Sequence, residues 1–206
     1  LVGSEMCIRD RFNIYNTLGA IGAALNEGIS MDDAIEAVKD FQSVPGRFEL
    51  IDEGQSFAVV VDYAHTPDGL EKILGTAREI TEGKIIAVFG CGGDRDRMKR
   101  PIMGSIAAEH ADISIVTSDN PRTEDPEKII EDVVVGVEKV KKNKPDLYYE
   151  VIADRRQAIK RAVSLAKDDD IVIIAGKGHE DYQILKDRTI HFDDREEARN
   201  ALKEVK

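Results

Sequence analysis

The chain reads as an α/β fold: a doubly wound, mostly parallel sheet with helices on both faces, preceded by short helices from a truncated domain. Three observations predict it. Strand-length runs rich in Val and Ile alternate with helix-period segments from Phe57 onward. Those runs are apolar at nearly every position, the pattern of strands covered on both faces. Four of the loops that follow them are polar and mostly glycine-rich, as expected where a parallel sheet binds ligands at the carboxyl ends of its strands.

Taken in order, residues 1–11 show no period of either kind and read as a non-native leader. Residues 12–44 carry two helical patterns. The first puts Leu18, Ile21, Ala24 and Leu25 on one face and stops at Gly28; the second opens with Ser30 and Asp33 and continues through Ile35, Val38 and Phe41. Two such helices cannot bury both faces alone, so they are expected to be the last helices of a preceding domain, joined by Ser43–Arg47 to a domain over residues 45–206. In that domain Phe57–Tyr63 is the first buried strand, and Thr66 with Pro67 opens the helix carrying Leu70, Ile73, Leu74 and Ala77. Strands over Ile85–Phe89, Ile113–Thr117, Tyr148–Ile152 and Ile171–Ala175 follow. They alternate with helices over about Pro101–Glu109, Pro126–Val140 and Asp154–Leu165. A hairpin around Lys186–Asp187 and a final helix capped by Asp194 with Glu197 complete the pattern.

Composition narrows the function classes. The 206 residues are 42% hydrophobic and 33% charged, with a net charge of -11. An acidic balance of this size argues against an extended nucleic-acid or anionic-membrane surface, which needs positive potential. The two cysteines, Cys7 and Cys91, have no metal-ligand spacing and form no disulfide framework, so a reducing cytoplasm is the expected setting. No apolar run approaches the roughly 20 residues that span a bilayer.

The candidate chemistry lies in four loops: Asp62–Asp68, Gly90–Arg97, Ser118–Thr123 and Gly176–Glu180. All four follow predicted strands, so they should meet in one crevice. The glycines of Gly90–Arg97 let successive N–H groups face an anion, and Arg95 or Arg97 can close over it; the loop is neither a dinucleotide fingerprint nor a phosphate loop ending in Gly-Lys-Ser/Thr. Arg95 and Arg122 suit carboxylates, and Glu180 suits an ammonium group, which together fit a zwitterionic ligand. Pairing of these charges with one another is the alternative. Asp62 at a strand end suits ribose hydroxyls or a metal-bound water, while Arg47 stands in a linker where an exposed arginine usually has no role.

Pro45-Gly46-Arg47-Phe48-Glu49, Val61–Asp68, Gly90–Asp96, Asp119-Asn120-Pro121-Arg122 and Gly176-Lys177-Gly178-His179-Glu180 together resemble the Mur ligases of peptidoglycan synthesis. Within that family they look like the members that add meso-2,6-diaminopimelate to UDP-N-acetylmuramoyl-L-alanyl-D-glutamate. The resemblance covers Phe12 to the C-terminus. It implies a Rossmann-like C-terminal domain that brings the incoming amino acid, preceded here by the last helices of a central ATP-binding domain. It further implies ligation through an acyl phosphate with ATP and Mg2+, in a monomeric cytoplasmic protein. Arg95, Asp119, Asn120, Pro121, Arg122, Gly176 and Glu180 match the family's diaminopimelate-binding positions, and Asn13, Asn16, Arg47 and Asp62 its ATP-binding positions. His65 and His179 fall inside the motifs without an assigned role. The phosphate loop, the magnesium ligands and the UDP-binding domain have no counterpart here, so the fragment itself is expected to be inactive and to hold no metal. A folylpolyglutamate synthase-like ligase and a non-catalytic amino-acid- or nucleotide-binding module are the competing readings; the first needs no arginine for a distal amino-acid carboxylate, and a phosphate-loop domain upstream in the same frame would exclude the second.

Overall fold

The computed structural model describes residues 11–40 and 44–205, with the side chains of residues 11–13 and 40 outside the description. The proposed leader therefore lies almost wholly outside the described residues. The chain divides into two compact units, one ending at Val44 and the other running from Pro45 to Lys206.

In the first unit, α1 (Arg11–Asn26) and α2 (Met31–Asp40) pack on each other. Gly28 reverses the chain at φ 88°, and the Ser30 hydroxyl accepts the Asp33 N–H at 3.1 Å while donating to its carboxylate at 2.6 Å, the expected helix start. The apolar faces are not buried: Leu18 is 59% and Val38 40% exposed, and Ala34 is the buried residue of the pair.

The second unit is a six-stranded sheet in the order β1 (Glu49–Leu50), β2 (Ala58–Asp62), β6 (Ile171–Ala175), β3 (Ile85–Phe89), β4 (Ile113–Val116), β5 (Tyr148–Val151). Every pairing is parallel except β1 with β2. The antiparallel β1 was not assigned from sequence, because two residues carry too little pattern to announce a strand. The order makes β6 pass between β2 and β3, the topological switch at which doubly wound sheets open a crevice. Connections α3 (Pro67–Ile80), α4 (Lys99–His110) and α5 (Pro126–Lys141) pack side by side, α4 between the other two. Helix α6 (Arg155–Leu165), which returns the chain from β5 to β6, packs with α7 (Asp194–Glu204).

Reversing the direction of travel reverses the face on which a right-handed crossover lies, so α6 and α7 cover the face opposite α3–α5. The period of two divides each strand accordingly. Val59, Val61, Ile86, Val88, Ile113, Ile115, Val172 and Ile174 join Ala158, Ile159, Ala162, Ala198 and Leu202 in one core. The alternate residues, among them Val60, Ile85, Phe89, Val116 and Ile173, are buried as well.

Caps agree with the sequence at α3, α5 and α6, where Thr66, Asp125 and Asp154 accept N–H groups of the first turn. Two expectations need correction. Helix α4 starts at Lys99, two residues before Pro101, with the Arg100 N–H donating to Arg97 O at 3.1 Å at its first turn. Helix α7 is capped by Asp193, not Asp194, whose carboxylate is committed to Arg155. The hairpin forms as expected from β7 (Tyr182–Ile184) and β8 (Thr189–His191), closed by Leu185 N–H to Arg188 O at 2.8 Å.

Candidate functional site

The four polar loops meet at the carboxyl edge around β6. Gly46 and Gly178 cross there so closely that a Cβ on Gly46 would lie 2.1 Å from the His179 nitrogen; both glycines have positive φ, 68° and 54°. Asp62, at the end of β2, accepts Phe48 N–H at 2.8 Å and Ala64 N–H at 2.7 Å, so its carboxylate ties the Gly46–Phe48 segment to the strand. The exposed Arg47 lays its guanidinium 4.7 Å from the centre of the Tyr63 ring, which also meets His65 and His179 at 4.6 and 5.3 Å. Arg47 has no carboxylate partner among the described residues, and its in-plane N–H groups fit a phosphate. Asn16 is exposed on α1; the Asn13 side chain lies outside the described residues.

The Gly90–Arg97 loop is braced from the α5 side. Buried Arg100 donates to Glu124 at 2.7 and 3.0 Å and to Asp132 at 2.9 Å, and Arg97 donates to Asp132 at 3.1 Å. Glu124 in turn accepts Asp94 N–H at 2.6 Å. Hydrogen bonds from Arg100, then from the Asp94 backbone, hold the Glu124 carboxyl at about 2, below its usual 4.5. Arg97 is thus spent on structure. Arg95 is exposed and has no hydrogen-bond or ion-pair partner among the described residues.

Arg122 sits beside Arg95, its Nη1 2.8 Å from where a Gly92 Cβ would project. Its backbone is left-handed, φ 52°, unusual for a side chain of this size, and its N–H donates to Ile184 O at 3.1 Å. The guanidinium donates to the carbonyls of Gly93 at 2.9 Å and Asn120 at 3.4 Å and meets no carboxylate. Sequence-level pairing of the site's charges with one another is therefore absent for both arginines among the described residues.

The acidic side of the site is organised by a residue to which the sequence reading assigned no role. Lys177 is fully buried, with Nζ 3.3 Å from Glu180 Oε2, 3.4 Å from Asn120 Oδ1 and 3.6 Å from Asp119 Oδ1. Asn120 donates to Glu180 Oε2 at 3.0 Å and accepts Ile184 N–H at 2.9 Å, so its amide bridges the β4 loop to the hairpin. Gln183 fixes the Asp119 carbonyl at 2.6 Å. Gly176 has φ 127°, a backbone conformation that side chains rarely adopt, and a Cβ built there would make only ordinary 3.7 Å contacts with Asp119 Oδ2 and Arg155 Nη2. Beneath it, wholly buried Arg155 grips Asp194 with two hydrogen bonds of 2.7 Å and donates to Ala175 O at 3.0 Å. Arg155 and Asp194 lie on different helices, and no local pattern links them.

Among the described residues the strand-end loops thus carry two guanidinium groups without a carboxylate partner together with a carboxylate cluster, a set of charges suited to a ligand with both carboxylate and ammonium groups. Among the described residues no three His, Cys, Asp or Glu side chains are placed to hold a metal ion. No helix among them is long and apolar enough to cross a membrane.

Comparison with known proteins gives the family. The sequence model of the family described as Mur ligase, glutamate ligase domain matches residues 46–178. The UDP-N-acetylmuramoyl-L-alanyl-D-glutamate--2,6-diaminopimelate ligase of Clostridium botulinum is 55% identical over 200 residues, 96% of this chain and 40% of its own length. That of Thermosynechococcus vestitus is 55% identical over 196 residues, covering 94% and 38%. The chain thus spans about 40% of the length of the curated relatives it matches. A solved structure of a ligase of the same description aligns with TM-score 0.73 at 42% identity, over 95% of this chain and 39% of that one. A bifunctional folylpolyglutamate synthase/dihydrofolate synthase from Yersinia pestis aligns with TM-score 0.56 at 21% identity, over 73% and 32%, and shares the fold alone. With the family match running from the Gly46 crossing through the Lys177 loop, the chain belongs to the Mur ligase family.

Proposed function

We infer that this chain is the amino-acid-binding part of an ATP-dependent ligase that adds meso-2,6-diaminopimelate to UDP-N-acetylmuramoyl-L-alanyl-D-glutamate in peptidoglycan biosynthesis. One observation carries the reading: among the described residues Arg95 and Arg122 have no carboxylate partner, and they stand on the same edge as the Asp119–Glu180 cluster. Meso-diaminopimelate carries a carboxylate and an ammonium beyond its reacting centre, and L-lysine lacks that carboxylate. Arg122, with Arg95, receives it; Glu180 and Asp119 receive the distal ammonium. Asn120 and Pro121 shape the loop, and Gly176 leaves room for the ligand backbone.

In the whole protein the substrate's glutamate carboxylate is activated with ATP as an acyl phosphate. The free amine of diaminopimelate attacks it, the amide bond forms and inorganic phosphate leaves. This chain's share is to hold the amine donor in one orientation and shield it from water, which lowers the entropy cost of the attack. Arg47 and Asp62 serve the nucleotide's phosphate and ribose, and Asn13 and Asn16 its adenine side. Residues 12–44 are the last helices of the central ATP-binding domain, magnesium is held outside the described residues, and the setting is cytoplasmic.

Calorimetric titration of the chain with meso-diaminopimelate and L-lysine tests the reading. Diaminopimelate is expected to bind more tightly by roughly 2–3 kcal/mol, because lysine leaves a guanidinium without its anion. Arg122→Ala is expected to erase that preference. Equal binding of the two amino acids by the folded chain would remove the substrate assignment.

A further inference from the structure

Glu180 presents its two oxygens unequally. Oε2 receives both Asn120 Nδ2 at 3.0 Å and Lys177 Nζ at 3.3 Å, while Oε1 has no partner among the described residues. Lys177 is completely enclosed, whereas the Glu180 side chain keeps 18% of its surface open. The lysine also reaches Asp119, whose Oδ1 is buried 3.6 Å away without a hydrogen bond, and stands 5.5 Å from the centre of the Tyr182 ring. Two carboxylates thus face one ammonium, while the Arg155 guanidinium that also acts on both is itself paired with Asp194. The Tyr182 phenol is held above its ordinary pKa chiefly by the charge of Glu180, as expected if Lys177 leaves negative potential at this end.

Resting on the function inferred above, we propose that Lys177 is a specificity-determining positioning residue for the ammonium end of the site. It pins Glu180 by Oε2, so that Oε1 is aimed at the ligand, and it balances one of the two carboxylate charges, so that one ammonium completes the set. Lys177 does not touch the ligand; it acts through Glu180 and Asp119. The chemistry selected is a diacid with an amine beside the distal carboxylate, as against the same diacid without that amine.

The test uses meso-diaminopimelate and L-2-aminopimelate, which keeps both carboxylates and lacks the distal amine. The wild-type chain is expected to prefer diaminopimelate by roughly tenfold or more, the range of a hydrogen bond to a charged group. Lys177→Met is expected to bring that ratio near one while leaving 2-aminopimelate affinity within about threefold, since that ligand makes no use of Glu180. Combining Lys177→Met with Glu180→Gln should add little further loss, because the two residues act as one unit. A ligand-induced shift of the Lys177 Cε resonance with diaminopimelate, and none with 2-aminopimelate, checks the wild-type protein without any variant.

Weakening of both ligands alike in Lys177→Met would show a purely structural lysine and overturn the proposal. Retained selectivity in a folded variant, or an unmoved Cε resonance on diaminopimelate binding, would do the same while leaving the substrate reading intact. Failure of the wild type to bind either diacid would sink the substrate reading and this proposal together.

Discussion

At the scale of single residues, the site is built from conformations that most side chains avoid. Arg122 holds φ 52°, and that geometry turns its guanidinium back over Gly93. Arg122→Gly and Arg122→Ala remove the same contacts, but only glycine adopts this backbone freely. The glycine variant is expected to be more stable than the alanine variant by about 1 kcal/mol in urea unfolding, with ligand binding lost in both. Gly46 sets a harder limit, since any Cβ would overlap the backbone of Gly178 and His179. Gly46→Ala is expected to cost roughly 3 kcal/mol and to displace the Glu180 loop, visible as weakened diaminopimelate binding alongside a lower denaturation midpoint. Cys91, by contrast, is inert: burial pushes its thiol up to about 12, so it is expected to resist alkylation until the domain unfolds, as peptide mass spectrometry would show.

At the scale of elements, the arginine loop is clamped to α5 by Arg100, Glu124 and Asp132. Burial opposes the charge on Asp132, yet its bonds to Arg100 and Arg97 prevail and hold its carboxyl below the usual range. Glu124 is held lower still, at about 2. A depressed folded-state pKa means that the unfolded chain binds the proton first. The contribution is complete above the ordinary value of 4.5 and is lost as pH falls towards 2. Glu124→Gln is therefore expected to lower stability near neutral pH and to flatten its acid decline, measured by denaturant unfolding across pH 2 to 7. The anchor groups of this clamp were not legible in the sequence. Arg97 read there as a loop cation and Arg100 was given no role, and only the packing of α4 against α5 brings Asp132 within reach.

At the scale of the whole domain, Arg155 and Asp194 join α6, α7 and the end of β6 through a pair with no solvent exposure of either side chain. Removing one partner strands a buried charge. Asp194→Ala is expected to cost about 3–5 kcal/mol, whereas replacing both residues with apolar side chains of similar volume should recover most of that loss in the same unfolding assay. A double variant that stays as unstable as the single one would mean that the pair does more than neutralise itself.

The sequence by itself determined the alternation of strands and helices, the mostly parallel sheet, and the loops in which a zwitterion would be met. Uninterrupted Val and Ile runs, proline at the first helical turn and glycine-rich strand ends carry that information within a few residues of each position. Arg95, Arg122 and Glu180 were therefore legible as candidate ligand residues before any contact was known. Which charges remained free was decided only by the tertiary structure. Arg97, Arg100 and Arg155 look no different from Arg95 and Arg122 in one dimension, yet the first three are matched by carboxylates from other elements. The same holds for Lys177: its neighbours Asp119 and Asn120 reach it because β6 is inserted between β2 and β3, and chain crossovers of that kind leave no local trace.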